Sequence, residues 1–509
     1  MRTEPAGPIT IEPFDSFNRT LVDNTHPASW KNPVPAKRYN LVVIGAGTAG
    51  LICAAGAAGL GAKVALVERH LLGGDCLNFG CVPSKTLLGA AAVAAAIRDS
   101  ARFGIKVRDV EVDFAAVMER VRQVRAAISH HDSVARFQRM GIDIFLGAGR
   151  FHSPRELMVN DVRLPFAKAV IATGARPVIP HIEGLTAGNC LTSETVFSLT
   201  ALPERLAVIG GGPIGCELAQ AFQRLGSLVT ILARGPRLLG REDEDASAVL
   251  ETQLRREGIE VILETKFTRI SRRDSGYQLH YENTGGTGLC AADAILAGTG
   301  RRPVVGNLGL EAAGVTYSTE AGINVDDHLR TSNPDIYAAG DCCLRMKFTH
   351  AADAAARLVI QNALFMGRKK LSDCIIPHAI YTDPEIAQVG LTEREVREQG
   401  INAVVHKRQF KEVDRALTEG RPDGFVKILV RKGTDRIIGA TITGAHAGEM
   451  ISEVTTAMVG GLGMKTLTRV IHPYPTRAEA IKHTADQYNK DRLTPLLRTV
   501  SSTWLGWRR

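Results

Sequence analysis

Two cysteines, Cys76 and Cys81, stand five positions apart in the segment GGDCLNFGCVPSK. The spacing is not that of a zinc site. Thiols this close in sequence form a small disulfide loop that opens to a dithiol, and such a couple stores two electrons. A helical run rich in alanine follows near Ala90, so the pair sits ahead of a helix N-terminus. That terminus, with Lys85 nearby, lowers a thiolate pKa and poises the pair for exchange. An electron store needs a donor, and the surrounding chain has the pattern of two nucleotide sites.

Gly45, Gly47 and Gly50 form a GxGxxG pattern after the apolar run 41–44, which reads as a buried strand, and ahead of a small-residue helix. Free backbone N–H groups at such a turn attract a pyrophosphate. Glu68 ends the next strand about 20 residues on, the spacing ribose recognition requires. This βαβ unit repeats: Gly210, Gly212 and Gly215 follow a strand over 206–209 and open a helix over 213–225, with a further strand reaching Leu232. Each copy is followed by a related strand and turn, AKAVIATGARPVIP with Gly174 and ADAILAGTGRRPVV, so the likeness extends beyond the glycines. At the place equivalent to Glu68 the second copy reads Leu232-Ala233-Arg234. An acid there favours NADH, whereas arginine pairs with a 2′-phosphate, so the residues predict NADPH, with Arg234 as first contact and Arg237 or Arg241 as helpers.

Length and composition agree with a nucleotide-binding globular protein. The 509 residues suffice for about three domains. Charged residues at 23% are ordinary, and the 50 glycines allow many close backbone approaches. The formal charge of +9 comes without zinc-finger spacing, an RNP-like strand or a dense basic run, so no nucleic-acid partner is expected. Nine cysteines, thinly spread, form no disulfide framework, which fits a reducing cytoplasm. Residues 41–62 run 22 positions without a charge, yet six glycines and the phosphate-loop spacing argue against a membrane span.

Residues 1–38 are polar and proline-rich and read as an irregular extension. Between 71 and 166 the first copy holds extra sequence, including one long helical pattern from 114 to about 140. From 374 the texture changes to strands such as GFVKILV and RIIGATITG, joined by the turn Lys432-Gly433-Thr434-Asp435, with helices after Ala447. The fold class predicted is α/β: two tandem Rossmann-like dinucleotide-binding domains and a C-terminal α+β domain.

The Cys76–Cys81 motif followed by Pro83-Ser84-Lys85, the segment TSNPDIYAAGD ending at Asp341, and YTDPEIAQVG opening the last domain carry a resemblance. From about residue 39 to 490 the chain resembles the pyridine nucleotide-disulfide oxidoreductases of the dihydrolipoamide dehydrogenase, glutathione reductase and mercuric reductase group. The resemblance implies an FAD-binding domain over 39–185 and 305–370, an NAD(P)H-binding domain over 186–304, a dimerisation domain over 374–490 and a basic tail over 491–509. It also implies FAD in the first unit, with Glu68 on its adenosine ribose and Asp341 on its ribityl chain. Cys81 would lie against the flavin, Cys76 would exchange with substrate, and Lys85 and Glu217 would pair near flavin N5. The partner subunit of a homodimer would complete the site.

Disulfide-reducing members place a histidine and a glutamate in a segment resembling HxHPTxxE; here the chain reads IHPYPTRAEA. Tyr474 stands where that histidine would, Glu479 is retained, and His472 lies two positions upstream. A phenol with pKa near ~10 donates a hydrogen bond but is a poor base near neutral pH. Mercuric reductases resemble the chain at this point, and a soft dithiol suits Hg²⁺, so Cys76 and Cys81 are the candidate ligands of a metal-ion substrate. Two features of that subgroup have no counterpart: a GMTCxxC segment ahead of the flavin domain and a cysteine pair in the C-terminal segment. A reductase of a small disulfide, using His472 as base, is the second reading, and a redox-sensing or metal-sequestering flavoprotein the third. The vicinal Cys342 and Cys343 read as buried small residues, and His350 as a histidine at a helix start, structural or near the flavin. Trp504 and Trp507 read as packing at a dimer interface in preference to a membrane-surface tail.

Overall fold

The apolar run after residue 38 forms the central strand Tyr39–Ile44, buried except for Asn40. In this computed structural model, which describes residues 9, 11–273 and 276–509, it pairs in parallel with Val64–Glu68 on one side and Val162–Ile171 on the other. Asp143–Leu146 continues the parallel set beyond Val64–Glu68, and Ile336–Ala338 pairs in parallel with the end of Val162–Ile171. The first half of Val162–Ile171 turns to antiparallel pairing with Glu156–Val159, which pairs with Gly149–Ser153. Parallel strands need cover on both faces and so read as unbroken apolar runs. The helix Thr48–Gly59 provides part of that cover and packs on Thr349–Leu364.

The second copy builds a parallel sheet in the order Glu260–Ile262, Leu228–Leu232, Arg205–Ile209, Ala294–Ala297. The matching segments after each copy meet: Ala175–Pro177 and Arg301–Pro303 pair antiparallel. Both copies solve the same packing problem alike. A side chain at Gly50 would place its Cβ 1.8 Å from the Gly45 carbonyl oxygen, and one at Gly215 would place it 2.1 Å from that of Gly210. Only glycine lets each helix start this close to its strand.

The chain divides into two compact units, one of residues 1–234 and 258–374, the other of residues 235–257 and 375–509. In the second, five antiparallel strands run in the order His378–Ile380, Glu385–Gly390, Ile437–Gly444, Phe425–Arg431, Ala403–Gln409. The helices Ala447–Val459 and Glu479–Asp491 pack on this sheet over a core that includes Phe410, Ile428, Ile442 and Ile481. Residues 235–257, which the sequence reading assigns to the NAD(P)H-binding segment, belong to this unit. Lys427, 1% exposed, lies 2.9 Å from Asp243, 2.7 Å from Asp245 and 2.9 Å from Glu393.

Two local expectations need correction, and the tail gains a structure that the sequence reading leaves open. The extension holds a helix, Ser16–Thr25, because Asp15 caps it by accepting from the Asn18 N–H at 2.9 Å and because Leu21 and Val22 find a buried face. The long pattern from residue 114 is two α-helices, Phe114–Ser129 and Val134–Arg139, since Ser133 takes extended backbone and caps the second. The tail forms the helix Pro495–Trp507, capped by Thr494, with no buried residue. The helical stretch Gly74–Phe103 satisfies length and composition for a membrane span, but its main helix, Cys81–Asp99, packs against Phe114–Ser129 and Pro213–Leu225 in the first unit.

Candidate functional site

Gly73 and Gly74 turn the chain out of the first βαβ unit toward the cysteines. Gly74 has a positive φ of 57°, and a Cβ there would lie 2.5 Å from Gly47 Cα, so two backbones touch with no room for a side chain. Cys76 follows in the short helix Gly74–Asn78, and Cys81 is the first residue of Cys81–Asp99. Both are free thiols. The Cys76 thiol donates a hydrogen bond to the Cys81 sulfur, which holds the Cys81 pKa down at about 6 and pushes that of Cys76 far up, with burial adding to the rise. The Thr349 hydroxyl at 3.3 Å and the charge of Lys85 further favour a Cys81 thiolate, while Asp75 opposes it. The pair therefore keeps its anion on Cys81 and its proton on Cys76.

Lys85 lies one helical turn after Cys81, and its Nζ is 2.8 Å from Glu217 Oε2. Glu217 comes from Pro213–Leu225, the helix opened by the second glycine turn. One ion pair thus ties the dithiol helix to the second nucleotide unit.

The residues of the first unit fit a flavin dinucleotide. Gly47 caps the Thr48–Gly59 helix with no side chain of its own, so the first-turn N–H groups are open to a pyrophosphate. Glu68 is half-buried at the strand end, and the loss of solvent around its carboxyl pushes its pKa upward. Its oxygens accept from Ala46 N–H at 2.6 Å and His70 N–H at 2.8 Å, and a carboxylate has lone pairs left for ribose hydroxyls. Gly174 stands at a positive φ of 70° beside the strand end, with open space where a side chain would be. Burial raises the Asp341 carboxyl, opposed by Arg301 and Lys347. Arg301 lies 3.7 Å from Asp341 and 3.0 Å from Asp75, and its Nε–H has no hydrogen-bond partner among the described residues. A buried guanidinium N–H in this position suits the oxygens of a bound cofactor.

In the second nucleotide-binding copy Gly212 caps the Pro213–Leu225 helix just as Gly47 caps its counterpart. Arg234 is exposed two positions beyond the Leu228–Leu232 strand, next to Ala233, which the strand register puts where Glu68 stands in the first copy. Arg237 instead donates to the carbonyls of Gly240 and Glu242 at 3.1 and 3.0 Å.

These features coincide with what sequence comparison finds. Residues 39–356 match the pyridine nucleotide-disulphide oxidoreductase family, and residues 376–485 match its dimerisation domain. The chain belongs to this family. Its members bind FAD and depend on NAD(P)H, and the dimerisation domain supports a homodimer. The chain is 38% identical over 463 residues to a mercuric reductase of Streptomyces lividans, covering 89% of this chain and 97% of the relative. It is 34% identical over 473 residues to a dihydrolipoyl dehydrogenase of Thermus scotoductus, covering 91% and 100%. Among solved structures, the Cu(II) complex of the HOCl-induced flavoprotein disulfide reductase RclA from Escherichia coli matches with a TM-score of 0.79 at 30% identity, covering 89% of this chain and 100% of that one.

The structure brings Cys76, Cys81, Lys85 and Glu217 together in the first unit. Tyr474 and Glu479 lie in the second. Tyr474 is 73% exposed and its hydroxyl donates to Asp414 at 2.9 Å, which raises its pKa and keeps the phenol protonated. Glu479 begins its helix and accepts from Thr476 N–H at 3.1 Å. His472, its side chain 6% exposed, is held by Glu453 at 3.1 Å with its other ring nitrogen buried. Cys342 is buried and donates to Ile171 and Ala339 carbonyls, as a packed small residue does. His350 stacks on Phe348 at the start of Thr349–Leu364. Thr349, Asp75, Arg301 and Asp414 escaped the sequence reading. Thr349 stands beside His350, which was singled out, but its contact spans 268 residues and no local pattern marks it.

Proposed function

We propose that this oxidoreductase is an NADPH-dependent mercuric reductase, NADPH + Hg²⁺ → NADP⁺ + H⁺ + Hg⁰, acting at Cys76 and Cys81. One observation carries the choice of substrate: no imidazole is presented at the position where the disulfide-reducing members keep their base. Tyr474 occupies that position as a protonated phenol, and His472 is buried on Glu453. Releasing a thiol from a disulfide needs a proton donor that is regenerated at neutral pH, whereas a metal ion that leaves as the neutral atom needs none. The names of several relatives agree, and RclA has been solved as a Cu(II) complex.

Gly45, Gly47, Gly50, Glu68, Gly174 and Asp341 would hold FAD, which when bound would supply two-electron redox chemistry. The chain's own residues do the rest. Cys81 offers a thiolate at neutral pH, and Cys76 releases its proton as the ion binds. Lys85 and Glu217 hold a compensated charge beside that thiolate. Tyr474 and Glu479, from the partner subunit of a homodimer, close the site, the phenol turning its one O–H from Asp414 to a sulfur when the ion is bound. Ala233 leaves the second copy without a carboxylate where Glu68 stands in the first, and its neighbour Arg234 takes the 2′-phosphate of NADPH. The test is NADPH consumption with Hg²⁺ in excess thiol against lipoamide and glutathione disulfide. Turnover with Hg²⁺ and release of mercury vapour support the proposal; turnover with a disulfide alone rejects it.

A further inference from the structure

The segment ahead of residue 39 makes contacts that lead to the dithiol. Asn18, on the helix Ser16–Thr25, is fully buried, and its Oδ1 accepts from Arg125 Nη2 at 2.6 Å. Arg125, 1% exposed on the Phe114–Ser129 helix, uses its other terminal nitrogen to donate to the Asn78 carbonyl at 2.8 Å. Burial lowers its pKa only to about 10, so it is cationic at neutral pH. Asn78, also fully buried, ends the short helix that carries Cys76, and its side-chain amide donates back to the Leu72 and Gly74 carbonyls at 3.1 and 2.8 Å. The loop before Cys76 is thereby closed on itself and held at one end by Arg125.

The same segment grips the other end. Leu72 N–H donates to the Thr25 carbonyl at 3.2 Å, and His26 Nδ1 meets the His70 carbonyl. Two further bonds fix its helix: Arg122 Nε to Asp15 at 2.5 Å and Asn24 to the Ser129 hydroxyl at 2.8 Å.

We infer that the N-terminal segment is a clasp on the Cys76 loop, with Asn18 and Arg125 as positioning residues that set the reactivity of the Cys76–Cys81 pair. The physical link is the thiol-to-thiolate hydrogen bond. It holds only while residues 72–78 keep Cys76 beside Cys81, and a buried guanidinium that loses one acceptor no longer fixes that loop. The inference rests on the assignment of these two cysteines as the redox pair and not on the identity of the substrate.

The test uses the full-length, flavin-loaded protein, reduced with dithiothreitol and desalted. Iodoacetamide labelling of each cysteine is followed by peptide mass spectrometry across pH. Asn18→Ala is expected to speed labelling of Cys76 by about tenfold, the factor that one hydrogen bond to a charged group represents. It is also expected to move the ionisation of Cys81 upward. Asn18→Asp keeps an acceptor for Arg125 and is expected to restore the wild-type profile. Wild-type rates and pH profile in Asn18→Ala overturn the inference. Hydrogen exchange on the unmodified holoenzyme tests it without substitution: residues 16–25 and 72–80 are expected to open together, and protection of 72–80 while 16–25 exchanges freely overturns it. Neither readout involves Hg²⁺ or NADPH, so either this inference or the proposed activity can fail without the other.

Discussion

Lys85 Nζ lies 2.8 Å from Glu217 Oε2, and with that contact the helix that begins at Cys81 is joined to the helix that begins at the second glycine turn. The lysine side chain is 37% exposed and the glutamate 8%, so the carboxylate depends on its partner more than the ammonium does. Glu217→Gln is expected to cost about 1 kcal/mol of stability, the modest value of a half-solvated pair. It is also expected to slow flavin reduction by NADPH about tenfold or more, the effect of misplacing groups at the reacting centre. Denaturant titration and stopped-flow absorbance measure the two.

The reduced dithiol gives a pH prediction with a definite sign. The Cys81 pKa is lowered to about 6, first by the hydrogen bond from Cys76 and then by Thr349 and Lys85. The thiolate is therefore present at pH 7 and is lost as pH falls through about 6. Thiolate ultraviolet absorbance should show that step. Lys85→Met should move it upward by removing a cation, and Asp75→Asn downward by removing an opposing anion.

Arg234→Ala should raise KM for NADPH by about ten- to a hundredfold, the range of one lost charge-assisted contact, and leave KM for NADH nearly unchanged. An equal change for both cofactors would assign Arg234 to the surface alone.

Tyr474→His should restore measurable turnover of a small disulfide, because an imidazole with pKa near ~6.5 both takes and gives protons at neutral pH. Tyr474→Phe should lower Hg²⁺ turnover while stability stays within about 0.5 kcal/mol, as expected for an exposed side chain.

In the second unit, Lys427→Met should cost about 3–5 kcal/mol, because it leaves the buried Asp243 carboxylate without a cation. Urea titration reads that loss.

Much of this architecture is legible in the sequence. Buried parallel strands are unbroken apolar runs, and each strand-to-helix turn needs glycine where Gly50 and Gly215 meet a carbonyl, so periodicity and glycine spacing give both nucleotide units. The dithiol and its lysine were equally plain, since they lie within one short segment. What the sequence hides is long-range polar pairing. Lys427 with Asp243 spans 184 positions, and nothing local announces that residues 235–257 join the second unit. The N-terminal helix was missed for a similar reason: its prolines suggest irregular chain, while Asn18 and Leu21 gain their meaning from Arg125 and a helix about a hundred residues away.

The most direct test of the whole account is an anaerobic titration of the flavin-loaded protein with NADPH, comparing wild type with Cys81→Ala. The wild type should take up one further two-electron equivalent beyond flavin reduction, accompanied by two titratable thiols, and the variant should take up only the first. Equal uptake by both proteins would show that the sulfur pair stores no electrons and would contradict the account.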